Sequence, residues 1–158
     1  MGLLAFNWKL VLFKIKKKII YAIEAVVDIA LNSGPDPVRN EAIAKRQGIP
    51  KRYLEQTLQI LVKNNILVGS RGPKGGYSLA RERRKIKISE IVKSVSREDR
   101  SIEDLNSSLS QNIIMPMIKN VTHKCLNDLG GISVEEICKI AKDKKTENIH
   151  PEKVDFVI

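Results

Sequence analysis

Residues 71–77 read Arg-Gly-Pro-Lys-Gly-Gly-Tyr and lie between the β-prone runs Ile66–Val68 and Tyr77–Leu79. Glycine adopts the positive φ angles that a tight hairpin tip needs, and the proline fixes one φ at about −65°. The segment therefore predicts a β-hairpin whose narrow tip carries two cations. A tip without bulky side chains can approach a phosphate-lined groove closely.

The segment immediately before this hairpin has helical periodicity. Leu54, Leu58 and Leu61 recur at i, i+4 and i+7, the apolar stripe of a helix that we expect over Pro50–Asn64. Arginine and glutamine side chains match the guanine and adenine edges in the major groove of DNA. An ordinary amphipathic helix with a hydrated outer face is the alternative, and the adjacent hairpin favours DNA binding. The polar residues of this helix include Lys51, Arg52, Tyr53, Glu55, Gln56, Gln59 and Lys63.

Two further helices are predicted upstream. The pattern of Val38–Gln47 indicates a helix that Gly48 ends, and two helices joined by a short glycine turn are typical of a helix-turn-helix. An earlier helix is expected over Ile15–Leu31. Since the helix dipole disfavours cations at a helix start, either an outside phosphate or a simple solvated lysine face accounts for the basic residues there. These residues are Lys14, Lys16, Lys17 and Lys18.

After the hairpin, a charged connector at 81–85 leads to a predicted third short strand at Ile86–Ile88. Ser89 is expected to cap a short helix that ends near Val95. Residues 96–112 contain several serines and little apolar material, which predicts an exposed loop.

Another helix is expected to begin between Asn112 and Pro116 and to end near Asp128, with an apolar stripe along one side. An apolar stripe outside a domain with its own core favours pairing with a second copy, because most oligomers are two-fold dimers. Packing back onto the same subunit is the alternative. The dimerisation candidates are Ile114, Met117, Ile118, Val121 and Cys125.

A last helix is predicted over Val134–Ala141. Ser133 caps it, with Glu136 at the reciprocal position of a capping box. From Lys142 onward the chain is polar, and we expect a frayed tail.

The chain is basic, and its charge is unevenly distributed. The net charge is +10, and residues 1–100 carry 21 Lys or Arg against 9 Asp or Glu, whereas residues 101–158 carry 7 against 9. A basic part followed by a near-neutral part is typical of a polyanion-binding module joined to a segment with another task. A solvated basic surface is the alternative.

Two cysteines, Cys125 and Cys138, are too few for a disulfide framework. The apolar residues 1–13 are interrupted by polar side chains, and they are far fewer than the roughly 20 residues that cross a bilayer. We therefore expect a cytoplasmic bacterial protein with no membrane partner.

Together these patterns predict a mainly α fold with a small β-hairpin wing, that is, a winged helix-turn-helix plus a long dimerisation helix. The expected division is an N-terminal extension at 1–13, a DNA-binding domain at 14–95, a loop at 96–112, the dimerisation and C-terminal helices at 113–141, and a tail at 142–158. The DNA-binding candidates are Lys51, Arg52, Tyr53, Glu55, Gln56, Gln59, Arg71 and Lys74.

The chain resembles the Rrf2 family of bacterial winged-helix regulators, whose members control iron–sulfur cluster assembly, nitric-oxide responses and cysteine metabolism. The matching segments are Tyr21-Ala22, Ile43–Ile49, Tyr53–Gln56 and, most specifically, Ser70–Ala80, with a weaker match at Leu129–Ile137. Because the resemblance begins near Lys14, residues 1–13 are additional to it. They are interpreted as an over-long start-codon assignment, with a docking segment or a membrane-surface helix as alternatives. The resemblance implies a homodimeric transcriptional regulator, a repressor in our reading, that binds a partly palindromic operator in double-stranded DNA.

By position, the resemblance implies that Arg52 and Gln56 contact base edges, that Tyr53 contacts a phosphate, and that Arg71 reaches the minor groove. Glu55 occupies the place of a glutamate that helps to discriminate between operator classes in the iron–sulfur member of the family. A carboxylate there repels phosphate and disfavours some bases, so a role in specificity is physically reasonable.

Cluster-binding relatives carry three cysteines in the loop that corresponds to 96–112, where this chain has none. An iron–sulfur cluster needs about four ligands, and His123 and Cys125 are two residues apart, so they point to different faces of a helix. We therefore predict no iron–sulfur cluster, no other cofactor and no metal site. Cys125 and Cys138 are interpreted as small core residues, with a redox-active thiol as the minor alternative for Cys138.

Three other functions compete with that of a DNA-binding regulator. A winged helix can serve as a protein-contact module that regulates an enzyme, and a basic protein can coat DNA without sequence preference. An enzyme is the weakest rival, because the sequence shows no nucleophile–base pair, carboxylate pair or phosphate-binding loop. The controlling signal stays open between a regulatory partner protein, a thiol, a small ligand and no signal.

Overall fold

The computed structural model describes residues 15–96 and 106–146. Its elements are α1 (Lys17–Leu31), α2 (Asn40–Gln47), α3 (Lys51–Lys63), β1 (Leu67–Ser70), β2 (Gly76–Leu79), a 3-10 turn (Arg83–Lys85), α4 (Ile88–Ser96), a π-helical segment (Ser110–Ile114), α5 (Met115–Gly131) and α6 (Val134–Thr146). A mainly helical chain with a two-stranded antiparallel hairpin confirms the predicted fold class. The predicted extension at 1–13 lies outside the described residues.

Helix α1 forms the centre of the hydrophobic core. Ala22, Ala25, Val26 and Ile29 are completely buried, and α1 contacts α2, α3, α4, α6 and β2. Small side chains along one helix allow its neighbours to approach closely, and the Leu and Ile side chains of those neighbours fill the space between them. The core thus holds the helices of the helix-turn-helix and the base of the hairpin against α1.

The stripe predicted for α3 is confirmed, because Leu54, Leu58 and Leu61 are completely buried in this core. The helix begins after Pro50, which occupies its N-cap position. A stripe at this spacing buries one side of the helix and leaves the opposite side on the surface.

The third strand predicted at Ile86–Ile88 is wrong. Lys87 forms an isolated antiparallel β-bridge with Ser133, the residue just before α6. Helix α4 already begins at Ile88. The backbone N–H of Ile88 donates to the Ile132 carbonyl, and the N–H of Val134 donates to the Ile86 carbonyl. The alternating pattern therefore marks two buried isoleucines on a single bridge, and the hairpin is not extended by it.

The segment before α5 is helical earlier than expected. Residues 97–105 lie outside the described part of the chain, but helical structure begins at Ser108 and passes through the π-helical segment into α5. The prediction of a loop as far as Asn112 is therefore wrong at its C-terminal end. Pro116 lies in the first turn of α5, where a missing backbone N–H costs nothing.

Helix α6 returns to the core and extends further than predicted. Val134 and Cys138 belong to the same buried cluster as α1, and the helix continues to Thr146, so the tail is not frayed from Lys142. The capping box is confirmed, since the Glu136 carboxylate accepts from both the backbone N–H and the hydroxyl of Ser133 at 2.7 and 2.9 Å. These hydrogen bonds hold the pKa of Glu136 below its usual value. Among the described residues, no helix combines the length and apolar character needed to cross a membrane.

Candidate nucleic-acid interface

The polar face of α3 lies on the surface. Its residues Lys51, Arg52, Tyr53, Glu55, Gln56 and Gln59 are all exposed. Thr57 lies on the buried side, where its hydroxyl donates to the Tyr53 carbonyl at 3.0 Å. All six candidates that the sequence placed on this helix are therefore brought to one accessible side, and all but Glu55 carry side chains that can donate to bases and phosphates.

The turn between α2 and α3 is set by Gly48 and Ile49. Gly48 has φ of 64°, a left-handed conformation that an L side chain rarely adopts, and its position at the C-cap ends α2. Ile49 follows and is buried in the core. One residue that turns the chain and one that anchors it fix the angle at which α3 leaves α2.

A buried ion pair joins α1 to the end of α2. Asp28 is 2% exposed, and both of its carboxylate oxygens accept from the Arg46 guanidinium, at 2.9 and 2.7 Å. The Gln47 side-chain amide donates to the same carboxylate at 2.7 Å. Hydrogen bonding to Asp28 raises the pKa of Arg46. The sequence interpretation missed this contact, although an acid within the otherwise apolar stretch Ala25–Leu31 was a signal for a buried partner.

The hairpin has the geometry that its glycines predicted. β1 and β2 pair antiparallel with Leu67 opposite Leu79 and Ser70 opposite Gly76. Gly72 has φ of 99°, and the Gly75 N–H donates to the Gly72 carbonyl at 2.8 Å, which closes the tip. A Cβ atom on Gly75 would lie 2.6 Å from the Ser70 carbonyl oxygen, so the tip accepts only glycine there.

The tip presents Arg71 and Lys74 on its exposed surface, as predicted. Both side chains project from a turn that carries little other bulk, because the remaining tip residues are glycines and one proline. Two cations on a narrow projection can enter a groove and contact phosphates on either side of it.

The hairpin is fastened to the start of α2. Val38 and Tyr77 exchange two backbone hydrogen bonds of 2.8 Å, and the Arg39 guanidinium donates to the Pro73 carbonyl at 2.8 Å. A Cβ on Gly76 would lie 2.6 Å from the Val38 carbonyl oxygen, which shows how closely the two backbones approach. Because Val38 pairs with the hairpin, α2 begins at Asn40, two residues later than predicted.

Glu55 and Lys51 are tied to α2 as well. The Asn40 amide donates to the Glu55 carboxylate at 3.1 Å, and Lys51 forms an ion pair with Glu41 at 2.8 Å. The hydrogen bond from Lys51 lowers the pKa of Glu41. Burial, followed by the charge of Glu55, raises the pKa of Tyr77 at the base of the hairpin. The start of α2 thus contacts both the polar face of α3 and the hairpin.

A groove separates the start of α1 from the polar face of α3. Lys18, Gln56, Gln59 and Lys63 line it together with Tyr53. Tyr53 packs edge-on against Tyr21 of α1, with ring centroids 5.8 Å apart, a favourable geometry for two aromatic rings. The basic start of α1 therefore borders the same surface, as the interpretation with an outside phosphate requires.

The apolar stripe predicted for dimerisation is largely uncovered in the single chain. Ile113, Ile114, Met117 and Val121 are exposed, Met117 to 53%, and Ile118 is half-buried. Large apolar side chains in contiguous helical turns are costly to leave in water. The exposure of these side chains does not support the alternative in which the stripe packs against its own subunit.

The two cysteines differ in environment. Cys125 is exposed on α5, so its interpretation as a core residue is wrong for the single chain, whereas Cys138 is 1% exposed and is a core residue as predicted. Burial raises the pKa of the Cys138 thiol. A thiol held in its neutral form by an apolar environment is a poor nucleophile and a poor metal ligand.

The residues of this chain do not fit an iron–sulfur cluster. The whole sequence contains two cysteines and two histidines, and none of them falls in residues 96–112. In the described part of the chain, no group of three or more His, Cys, Asp or Glu side chains is placed to hold a metal ion. Since a cluster requires about four ligands, a clusterless protein stays our prediction.

Comparison with known sequences identifies a family of regulators. Residues 15–140 match the sequence model of the Rrf2 family, described as an iron-dependent transcriptional regulator. The HTH-type transcriptional regulator IscR of Xenorhabdus nematophila is 32% identical over 126 residues, which cover 75% of each chain. IscR of Cronobacter sakazakii is 43% identical over 75 residues, 48% of this chain and 46% of the relative.

Comparison with solved structures supports the same fold. The structure of T. potens IscR superposes with a TM-score of 0.67 at 28% identity and covers 89% of this chain and 94% of that one. CymR, the global cysteine regulator of B. subtilis, superposes with a TM-score of 0.61 at 22% identity, over 81% of this chain and 98% of that one. Because CymR is only 22% identical, this second superposition supports the fold alone.

Proposed function

Because the chain belongs to the Rrf2 family of transcriptional regulators, we propose that it binds a partly palindromic operator in double-stranded DNA as a homodimer and represses by occupying it. Its relatives are transcriptional regulators and not enzymes, as the sequence interpretation predicted. One observation carries the proposal. The exposed polar face of α3 and the cationic hairpin tip are both fastened to the start of α2, on one surface.

In this proposal α3 lies in the major groove. Arg52, Gln56 and Gln59 can reach base edges, with arginine matched to guanine and glutamine to adenine. Tyr53 and Lys51 would contact the backbone. An ammonium group carries three N–H donors, so Lys51 can hold Glu41 and still donate to a phosphate.

The hairpin tip would contact the flanking minor groove through Arg71, with Lys74 on a neighbouring phosphate. The narrow minor groove concentrates negative potential, which attracts an inserted guanidinium. The Arg39 guanidinium already holds the tip through a hydrogen bond to the Pro73 carbonyl. Because the tip is restrained before it binds, little conformational entropy would be lost when it is ordered on DNA.

A second copy would complete the operator contact. The exposed stripe of α5 would pair across a two-fold axis, and the two α3 helices would lie about 34 Å apart, one turn of duplex. An isologous interface buries the same apolar patch on both subunits. A two-fold protein on DNA explains why a partly palindromic site is expected.

The proposal is tested by footprinting on promoter DNA. We expect protection of a palindromic site of about 25 base pairs, and affinity that falls steeply with salt. Protection without sequence preference would replace the proposal with a DNA-coating protein. Absence of binding would favour a protein-contact module.

Two variants separate the contributions of the tip and the helix. Arg71→Ala should weaken operator binding, whereas Lys139→Ala removes an exposed charge from α6, which is not part of the helix-turn-helix or the hairpin, and should not. Gln56→Ala should relax base preference at one position by roughly 1–3 kcal/mol. Wild-type affinity in Arg71→Ala would remove the tip from the proposal, and an unchanged preference in Gln56→Ala would mean that α3 is docked differently.

Dimerisation through α5 is tested with Val121→Glu. A carboxylate in the apolar stripe should dissociate the dimer, because an unpaired charge would be buried at the interface. Thr122→Glu, whose side chain points about 100° away around the helix, is the matched control. Analytical ultracentrifugation measures the result, and a Val121→Glu variant that sediments like wild type would rule out this interface.

A further inference from the structure

Asn40, the first residue of α2, reaches across to the polar face of α3. Its Nδ2 donates to Oε1 of Glu55 at 3.1 Å, between residues 15 positions apart in the chain. Asn40 is half-buried at the junction of α2 with the hairpin, whereas Glu55 is exposed among Arg52 and Gln56. A partly buried amide therefore holds an exposed carboxylate on the surface that faces DNA.

Glu55 is the one acidic residue in the sequence of α3. A carboxylate accepts hydrogen bonds and cannot donate them, so in the major groove it can accept from the cytosine N4 amino group and is repelled by phosphates and by base acceptors. A free glutamate samples many rotamers and averages these effects over several base positions. A glutamate whose Oε1 is held by a neighbouring amide presents Oε2 to one place.

The carbonyl oxygen of the same amide makes Asn40 an unusual choice for folding alone. Oδ1 of Asn40 is buried and has no hydrogen-bond partner among the described residues. A buried acceptor without a donor destabilises the folded state. The residue thus opposes stability through one atom while it orients Glu55 through the other, which points to a role in recognition.

We propose that Asn40 is a specificity-positioning residue: it fixes the Glu55 carboxylate so that α3 favours cytosine at one position of each operator half-site. This inference rests on the proposed DNA-binding function and adds a residue outside α3 to base selection. Asn40 acts through Glu55 and does not itself touch the base.

The experiment selects bound sequences from a pool of randomised duplex DNA. Full-length wild type, Glu55→Ala, Asn40→Ala and the double variant are compared, and Glu41→Ala serves as the control because it removes a neighbouring α2–α3 contact without touching Glu55. Glu55→Ala should lose cytosine preference at one position by roughly 5- to 150-fold. Asn40→Ala should lose about 2- to 10-fold at that same position, the range of one hydrogen bond.

Coupling between the two residues is the decisive readout. The double variant should show the profile of Glu55→Ala, because Asn40 has nothing left to position. Asn40→Asp, which cannot donate and repels Glu55, should lose preference at the same position at least as much as Asn40→Ala. Glu41→Ala should keep the wild-type profile. Thermal unfolding should give Asn40→Ala a stability equal to or above wild type, since an unpaired acceptor is removed.

The outcomes separate a failure of the Asn40 positioning role from a failure of the proposed DNA-binding function. If wild type selects no sequence, the proposed function fails and this inference fails with it. If wild type selects a site but the Asn40 variants keep its full cytosine preference, or change a position other than the one that Glu55→Ala changes, the positioning role alone is overturned. A uniform loss of affinity across all sequences would likewise assign Asn40 a purely structural role.

Discussion

Arg46→Ala tests how firmly the helix-turn-helix is held against the core. In the wild type, the Asp28 carboxylate accepts two hydrogen bonds from Arg46 and one from Gln47, at 2.7 to 2.9 Å, and Asp28 is 2% exposed. Removal of the guanidinium leaves a buried negative charge with a single amide donor. The Asp28 carboxylate then loses the cation with which it is paired.

The expected cost follows from burial on each side of the pair. Breaking a buried ion pair by removing one partner destabilises a protein by about 3–5 kcal/mol. The Arg46 side chain is 39% exposed, so water can reach the vacated space and solvate part of the carboxylate. We therefore expect a loss of about 2–3 kcal/mol in the free energy of unfolding, below the fully buried range.

Urea denaturation at one fixed protein concentration measures this loss, since association would otherwise shift the midpoint. The midpoint should fall by about 1 M for Arg46→Ala. Lys45→Ala, which removes an exposed charge from the adjacent position, is the matched control and should stay within about 0.5 kcal/mol of wild type. Asp28→Asn combined with Arg46→Ala should be more stable than Arg46→Ala alone, because no charge is left buried.

Two results would contradict this reasoning. An Arg46→Ala variant within about 0.5 kcal/mol of wild type would show that the ion pair adds nothing measurable. A double variant no more stable than Arg46→Ala would show that the loss comes from packing of the arginine side chain and not from an unpaired charge.

Three further predictions concern the hairpin and the last helix. Gly76→Ala should destabilise the fold by roughly 1–3 kcal/mol in urea denaturation, because its Cβ would meet the Val38 carbonyl oxygen at 2.6 Å; Gly34→Ala, with open space around it, should not, and equal stabilities would refute the close approach. Arg39→Ala should weaken operator binding with little change in thermal stability, since it frees the hairpin tip from α2; unchanged affinity would show that the tip needs no anchor. Glu136 has a folded-state pKa below its usual value, so its contribution to stability should be present above the ordinary glutamate pKa and be lost as pH falls through the depressed one. The difference in stability between wild type and Glu136→Gln should therefore shrink on acidification, and a difference that is constant with pH would contradict the capping role.

Much of the candidate interface on α3 and the hairpin can be predicted from local sequence patterns. The buried stripe of Leu54, Leu58 and Leu61 follows from helical spacing within one segment, and it places the polar residues of α3 on the surface without knowledge of the rest of the chain. The hairpin tip was equally local, because the φ of Gly72 is a property of the turn itself. The exposed stripe of α5 was visible for the same reason.

The long-range contacts that orient these elements cannot be predicted from local sequence patterns. Asp28 and Arg46 are 18 residues apart, and Arg39 and Pro73 are 34 apart. Neither pair carries a spacing signal, because their partners meet only after α1, α2 and the hairpin have packed. The third-strand prediction at Ile86–Ile88 failed for a related reason, since two alternating isoleucines fit a single bridge to the segment before α6 as well as they fit a strand.

Periodicity and turn chemistry act between neighbours in the chain, so a basic winged helix-turn-helix with an exposed polar face on α3 and a glycine-tipped hairpin could be predicted from local patterns alone. The directions in which those parts point depend on how the elements pack together. Packing against α1 placed Asp28 beneath Arg46, brought the start of α2 to both the hairpin and Glu55, and drew α6 into the same core. Such distances depend on all of the packed elements at once, and no single segment contains them.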